Sequence, residues 1–345
     1  MGVKVRKSLA KPTVMDVARL AGVAPITVSR AVNGTTRVSS DKLKRIHAAV
    51  RRLDYRPNQA ARILKGQRAR MIGLILPELS DPFFATCAAA IEQIAFERDY
   101  TTLIITSRPS DQGQVREVDI LASHNVAGIV MVPSPDATDV ARLETKGVPI
   151  IAMDSPMLGA MSNEVTEVMV ENRVGAKMAV DHLLSHGHTS IACVAQHQGN
   201  TTIRERINGY KYSMRRAGLS IEVHEKVDSL DDSRRIVEKW FSSTRRPTAV
   251  FAVNGPTTQF MLKAIQEAGL NIPDQIGLIG FDDFELAPFL KCPLTTVRQP
   301  AFEMGLRAAR LLFESIDDEP SSRPKYPQKL VLPVELIIRN SCGCK

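Results

Sequence analysis

Between residues 13 and 53 the apolar positions recur at helical spacing. Val14, Val17, Ala18 and Ala21 fall at i, i+3, i+4 and i+7 and make one stripe. Thr13 and Asp16 fit a reciprocal cap, which predicts a first helix from Thr13 to about Ala21. Gly22 then takes the sharp turn, because glycine accepts positive φ at no steric cost. In the stretch "GVAPITVSRAVNG", Val28, Ala31 and Val32 repeat the spacing, and Pro25 occupies the first turn, where its missing N–H would be unpaired anyway. The step of about 100° per residue leaves Ile26, Arg30 and Asn33 on the opposite face, flanked by Thr27 and Ser29. A third helix is predicted from a cap at Ser39, with Leu43, Ile46, Val50 and Leu53 inward and Lys42, Lys44, Arg45, Arg51 and Arg52 outward. Two helices joined by a tight glycine turn and braced by a third make a helix-turn-helix unit. After Pro57, "NQAARILKG" predicts a short helix capped by Asn58 and stopped at Gly66, too short to be stable alone in water.

From Met71 the pattern changes. Short apolar runs, "MIGLILP", "TTLIITS", "AGIVMVP", "PIIAMD", "SIACVA", "TAVFAVN" and "IGLIGFDD", alternate with amphipathic helical stretches. That alternation predicts parallel sheets covered on both faces, and its length fits two lobes. Ligands in open α/β sheets bind beyond the carboxyl ends of the strands. The stretches to inspect are therefore "PELSDPFF", "MDSPM", "AQHQGNTTIRER", "NGPTT" and "FDDFEL".

Charge sharpens the division. Residues 1–70 hold 17 Lys and Arg against 3 Asp and Glu, while the rest hold 28 against 34, so a net charge of +8 conceals a basic head on an acidic body. Such a head points to a polyanion, since neutralised phosphates release condensed counterions. With 345 residues and 44% hydrophobic content the chain can bury sizeable cores. It has no run of about 18 apolar residues to span a bilayer, and "MGVKVRKSLAKPTV" lacks the apolar stretch of a signal peptide, so a cytoplasmic location is expected.

The motifs "TVMDVARLAGVAPITVSRAVNG", "VSSDKLKRIHAAVRRLDYRPNQAARILKG" and "LIGFDD" resemble the LacI/GalR family of bacterial transcription regulators, a likeness that runs from Pro12 to Gly343. The resemblance implies an all-α helix-turn-helix domain over residues 1–57, a hinge helix and linker over 58–69, and a two-lobed α/β periplasmic-binding-protein-like core over 70–345. Its N-lobe would hold about 70–168 and 299–328, its C-lobe about 169–298 and 329–345. By the same resemblance Thr13, Thr27, Asn33 and Ser39 would hold phosphates, Ser29 would lie on the same surface, and Pro25, Ile26 and Arg30 would face base edges. Arg30 suits that role on its own chemistry, because a guanidinium can bond the O6 and N7 of guanine bidentately. Asn58, Ala61 and Leu64 would belong to the hinge surface, with Leu64 as a wedge in the minor groove. The alternative for Leu64 is a linker residue against the body. Family sequences usually carry serine at the cap of the second helix where this chain has Ala24, which removes a capping oxygen and a phosphate contact.

In the core the resemblance assigns Phe83, Arg206, Asn254 and Asp282 to an effector cleft. An Arg and an Asp on opposing walls suit polyols, each holding two adjacent oxygens. Asp282 also reads as a helix cap, and Arg206, beside Arg204 and Glu205, as part of a solvated face. Relatives usually have Asn-Asp where this chain has Asn254-Gly255.

His182, His186 and His188 in "DHLLSHGHTS" have two members at i, i+4, but Gly187 reads as a helix stop and histidines suit a helix carboxyl end. Five cysteines without C-x-x-C spacing, two of them (Cys342 and Cys344) in a terminal stretch expected to be loose, argue against a zinc cage or disulfide framework. Trp240 reads as helix packing. No metal and no cofactor are expected, and no nucleophile elbow or P-loop points to an enzyme. The expectation is a sequence-specific repressor binding double-stranded DNA as a homodimer, without the leucine-heptad tail of tetrameric relatives, and switched by a small metabolite. A transport-system binding protein would share the body but not the basic head. A nonspecific DNA-binding protein would share the charge but not the sensor body.

Overall fold

The computed structural model describes residues 12–33, 38–55, 69–107, 114–135, 147–159, 164–196, 201–242, 246–318 and 327–344. The chain divides into two units, residues 1–69 and 70–345. The predicted helix over 58–66 lies outside the described residues.

The first unit holds α1 (Val14–Ala21), α2 (Pro25–Asn33) and α3 (Ser40–Leu53). Thr13 and Asp16 close the reciprocal cap of α1: the Thr13 N–H donates to the Asp16 carboxylate at 2.9 Å, and the Asp16 N–H reaches Thr13 Oγ1 at 3.4 Å. Gly22 sits at φ +63°, in the left-handed region, and its N–H caps the Ala18 and Arg19 carbonyls. Three residues later Pro25 starts α2, and the Thr27 and Val28 N–H groups both donate to the Ala24 carbonyl. Val17, Ala18, Ala21, Val28, Ile46 and Ala49 form the buried centre of this unit. Sealing residues such as Val17, Val28 and Ile46 contributes about 1.5–3 kcal/mol each, which lets short helices persist together. The inward face of α3 turns on Ile46 and Ala49, with Val50 and Leu53 only partly covered. Ser39 stands at the amino end of α3 but makes no side-chain capping bond, contrary to the expected cap.

The second unit contains two six-stranded sheets. Its chain order begins β1 (Met71–Leu76), α4 (Pro82–Glu97), β2 (Thr101–Thr106), α5 (Val115–Ser123), β3 (Gly128–Met131), β4 (Ile150–Met153) and β5 (Thr166–Val170). It continues through α6 (Asn172–Ser185), β6 (Ile191–Val194), α7 (Thr201–Arg216), β7 (Glu222–His224), α8 (Leu230–Phe241), β8 (Ala249–Ala252), α9 (Gly255–Glu267), β9 (Gly277–Phe281) and β10 (Thr295–Arg298). Last come α10 (Ala301–Asp317), β11 (Lys329–Leu332) and β12 (Glu335–Ile337). The first sheet has the order β11-β5-β4-β3-β1-β2 and the second β12-β10-β9-β8-β6-β7. All pairings among the described residues are parallel except β12 against β10. Every residue of β3, β4, β6, β8 and β9 is buried, as helices on both faces require, whereas the edge strand β2 is only partly covered.

The chain passes between the lobes after β5, after β10 and after β11. The expected lobe limits need correction at the third passage. Residues 329–332 belong to the first lobe's sheet, where they pair in register with Glu167–Val170, and Lys329 meets Glu167 at 3.3 Å. Pro333, which cannot donate to a ladder, follows β11, and the chain crosses to β12 in the second sheet. The strand β5 likewise carries the first lobe to Val170. No helix among the described residues is long and apolar enough to cross a membrane.

Candidate functional site

On the head, Ile26 is 57% exposed and Arg30, one turn later, is exposed as well, an arrangement in which the first residues of α2 offer an apolar tip and a guanidinium from the same helix. Pro25, Thr27 and Ser29 are half-buried beside them. The Thr13 hydroxyl donates to Asp16 at 2.7 Å, so a phosphate would compete with the capping box for it. Ser39 is exposed. Of Asn33 only its place as the last residue of α2 is described, and Asn58, Ala61 and Leu64 lie outside the described residues.

In the core a cavity of about 590 Å³ opens at the carboxyl ends of both sheets. Phe83, Arg206, Asn254 and Asp282 all line it. Arg206 is the centre of its polar wall. Far from a solvated face, it is 3% exposed: Nε donates to Asn172 Oδ1 at 2.8 Å, Nη1 donates to the Val253 carbonyl at 2.8 Å, and Nη1 lies 3.6 Å from the Asp282 carboxylate. The guanidinium also stacks over the Phe281 ring, its carbon 3.6 Å from the centroid, which holds the plane fixed. Burial pulls its pKa down, and the carboxylates of Asp282, Asp154 and Asp81 oppose that pull.

The backbone places Arg206 through Gly209, one turn on. A Cβ at Gly209 would stand 2.5 Å from the Arg173 carbonyl oxygen and 2.7 Å from Ala176 Cβ. Only glycine lets α7 come this close to α6, and that approach brings Arg206 to Asn172 at the start of α6.

Asp282, just past β9, has φ +75°, and Asp154, just past β4, has φ +65°. Both stand in the left-handed region, which aspartate tolerates better than most residues and which recurs at binding sites. The capping reading of Asp282 holds together with the cavity reading: Oδ2 accepts the Gly255 N–H, the first of α9, at 3.0 Å, while Oδ1 accepts from the Gln299 amide. Asn254 is the cap of α9, its Oδ1 accepting from the Thr257 N–H at 3.1 Å, and its amide donates to Gln196 at 2.5 Å. A Cβ at Gly255 would lie 3.8 Å from Asp282 Oδ2, so an aspartate in this position would bring a like charge up to that carboxylate.

Across the cavity Phe83 and Phe84 meet edge to face with centroids 5.0 Å apart. Asp81 caps α4 by accepting the Phe83 N–H at 2.9 Å. Burial and the nearby Asp282 charge push the Asp81 pKa up to about 6, and burial, only partly offset by Arg206, pushes that of Asp154 to about 7. The cavity thus gathers more carboxyl groups than cations, two of them poised to hold or release a proton near neutrality.

Sequence reasoning pointed at the stretches holding Asp81, Asp154 and Gln196 without selecting those residues. It missed Asn172 and Gln299, which follow β5 and β10, because "TEVMV" and "TTVR" were not among the runs read as strands. Trp240 packs in the second lobe, donating Nε1–H to Glu222 at 3.0 Å, as expected of a packing residue.

One premise about the carboxyl-terminal thiols is wrong. Cys342 is fully buried, not part of a loose tail, and its Sγ lies 3.2 Å from His182 Nε2. Ser341 anchors the segment, accepting from the Thr295 N–H at 2.8 Å and donating to the Leu278 carbonyl at 2.6 Å. Spacing along the chain argued against a metal cage of these residues, but the fold brings Cys342 to His182 from 160 residues away.

Comparison with known proteins bears on both units. The family described as bacterial regulatory proteins, lacI family, matches residues 13–58, and a periplasmic binding protein-like domain matches residues 180–342. The HTH-type transcriptional regulator DegA of Bacillus subtilis is 32% identical over 340 residues, covering 96% of this chain and 98% of its own. The HTH-type transcriptional repressor PurR of Photobacterium profundum is 30% identical over 334 residues, covering 95% and 98%. Among solved structures, the Lac repressor dimer bound to operator and the anti-inducer ONPF matches with a TM-score of 0.82 at 24% identity, covering 96% of this chain and 99% of that one.

Proposed function

The chain belongs to the LacI family of bacterial regulatory proteins, and from that membership we propose that it represses transcription as a homodimer on a near-palindromic operator, under control of a small hydroxyl-rich metabolite held between its core lobes. It is a DNA-binding transcription regulator and not an enzyme.

On this proposal α2 enters the major groove, Arg30 bonding a guanine edge and Ile26 meeting a thymine methyl, while Thr13, Thr27, Ser29, Asn33 and Ser39 hold the backbone around them. Pro25 has no N–H to donate and would make only apolar contact. Asn58, Ala61 and Leu64 would serve the hinge in the minor groove, and a change in the opening of the lobes would reset the spacing of the two hinges in the dimer. Repression takes place in the cytoplasm, where a bacterial chromosome lies. The domain limits that go with this reading are 1–57, 58–69 and 70–345.

The observation that carries the sensor half is the buried Arg206, fixed by Asn172, Val253 and Phe281 and facing Asp282 in a cavity otherwise rich in carboxyl groups. Donors from Arg206 and Asn254 and acceptors from Asp282, Asp154 and Asp81 suit a ligand bearing many hydroxyls. A ligand bearing carboxylates would meet repulsion. A melting-temperature panel of sugars and polyols, nucleosides and organic acids tests this: a saturating polyol at about 100 times its Kd should add about 2.7 kcal/mol, and a panel in which none raises the melting temperature defeats it.

Selection of duplexes from a random pool at physiological salt tests the DNA half. The full chain should enrich a palindrome that a chain starting at Met71 does not. A ligand preferring the free form acts as an inducer, and one preferring the bound form as a corepressor, so operator titrations with and without the ligand read the sign.

A further inference from the structure

At the carboxyl end of α6, far along that helix from Asn172, four metal-ligating side chains converge. His182 Nε2, His186 Nε2, Cys342 Sγ and Cys344 Sγ all lie within 4.8 Å of one another. The individual approaches are 3.2 Å from His182 to Cys342, 3.4 Å from His182 to Cys344, 3.0 Å from His186 to Cys344, and 3.4 Å between the two sulfurs. We propose that these four residues bind a zinc ion in tetrahedral geometry, tying the carboxyl-terminal segment to α6.

Both halves of the set are built for convergence. His182 and His186, at i and i+4, put their rings on one face of the helix end, 4.7 Å apart and edge to face. The two cysteines are separated by Gly343 at φ +95°, a backbone conformation that side chains rarely adopt and that turns both sulfurs toward the same point. Ser341, bonded to Thr295 and Leu278, fixes the segment to β9 and β10, so the thiols are presented from a rigid backing.

The distances fit the ion. Zinc bonds of about 2.3 Å to sulfur and about 2.0 Å to nitrogen give tetrahedral edges of about 3.8 Å between sulfurs and about 3.5 Å between sulfur and nitrogen. The observed approaches are a few tenths of an ångström shorter, so a small outward shift of the side chains admits the metal. Thiolate and imidazole donors without a carboxylate exclude calcium and magnesium and favour zinc. Four protein ligands fill the coordination sphere, which makes the site structural. Cys344 Sγ alone faces two imidazole nitrogens and a second sulfur, so all four ligating atoms converge on one point.

The test uses the full chain, purified under reducing conditions without chelator. Elemental analysis should find about one zinc per chain. After chelator removes it, cobalt(II) should restore the visible bands of a tetrahedral centre together with thiolate-to-cobalt charge transfer in the near ultraviolet, and zinc should raise the melting temperature. Cys344→Ser and His186→Ala change the more accessible members and spare buried Cys342, so both should fold and bind cobalt at least about tenfold more weakly. Cys292→Ser, outside the cluster, should bind as the parent does. The proposal is overturned if the reduced, folded parent shows no charge-transfer band, if both variants keep parental affinity, or if Cys342 and Cys344 of the freshly purified chain prove to be joined in a disulfide.

Discussion

At the scale of single residues the cavity is a study in opposed charges. Asp154 is the sharpest case. Its pKa, raised by burial to about 7 from an unfolded value near 3.8, means that the folded state binds a proton the unfolded state releases. Stability therefore falls as pH rises through the window from about 4 to about 7 and levels off above it. Asp154→Asn, which keeps a side chain that accepts the left-handed φ, should raise the melting temperature by an amount that grows across that window, as melts between pH 4.5 and 8 would record. Constant gain at every pH would mean that the carboxyl is not held neutral. Arg206→Lys should abolish the ligand-induced rise in melting temperature, because one ammonium cannot hold Asn172, the Val253 carbonyl and a ligand in a fixed plane. Operator binding without ligand should be unaffected. On the head, Arg30→Ala should cost specific binding about 1–3 kcal/mol at one base position, while binding to random DNA changes only slightly. Competition with single-substitution operators distinguishes this from uniform weakening.

Helices and strands show where sequence patterns speak and where they fall silent. Every long apolar run became a strand, well covered except at the edge strand β2, and the stripe predicted for α1 holds its buried residues, whereas α3 buries Ile46 and Ala49 and leaves the predicted Leu43, Val50 and Leu53 only partly covered. The strands β5, β7, β10, β11 and β12 escaped notice because they are short, interrupted by polar residues or near prolines. With β5 and β10 went Asn172 and Gln299, whose parts in the cavity depend on lying just past a strand. The site residues that were legible were those inside distinctive stretches, such as Arg206 in "RING" and Asp282 in "GFDD". The meeting of His182 with Cys342 was illegible, as spacing along the chain carries no information about partners 160 residues away. Two substitutions test the elements. Gly209→Ala, placing a methyl against the Arg173 carbonyl, should destabilise the core by about 1–3 kcal/mol, measured by denaturant titration, and weaken ligand binding by moving Arg206 from Asn172. Ala24→Ser should return a capping oxygen to α2 and stabilise the head by about 1 kcal/mol.

Over the whole molecule the charge is divided as the work is. The head carries the positive excess and the body the negative, so DNA affinity should fall steeply with salt for the full chain, as a plot of log affinity against log salt concentration would show, and be negligible for a chain starting at Met71. The triple passage of the chain between the lobes makes neither lobe a continuous segment.

That threading sets a clock on biosynthesis. Thr166, at the start of β5, meets its neighbour Gln328 only after 162 further residues have been added. At bacterial elongation speeds of about 5–20 residues per second, the outer edge of the first sheet waits on the order of 10–30 s for β11. Throughout that interval the nascent chain shows an unpaired parallel edge beside strands that are already strongly apolar. Newborn chains are thus most exposed to aggregation during the synthesis of the second lobe, and chaperones that bind nascent hydrophobic surface would find their substrate there.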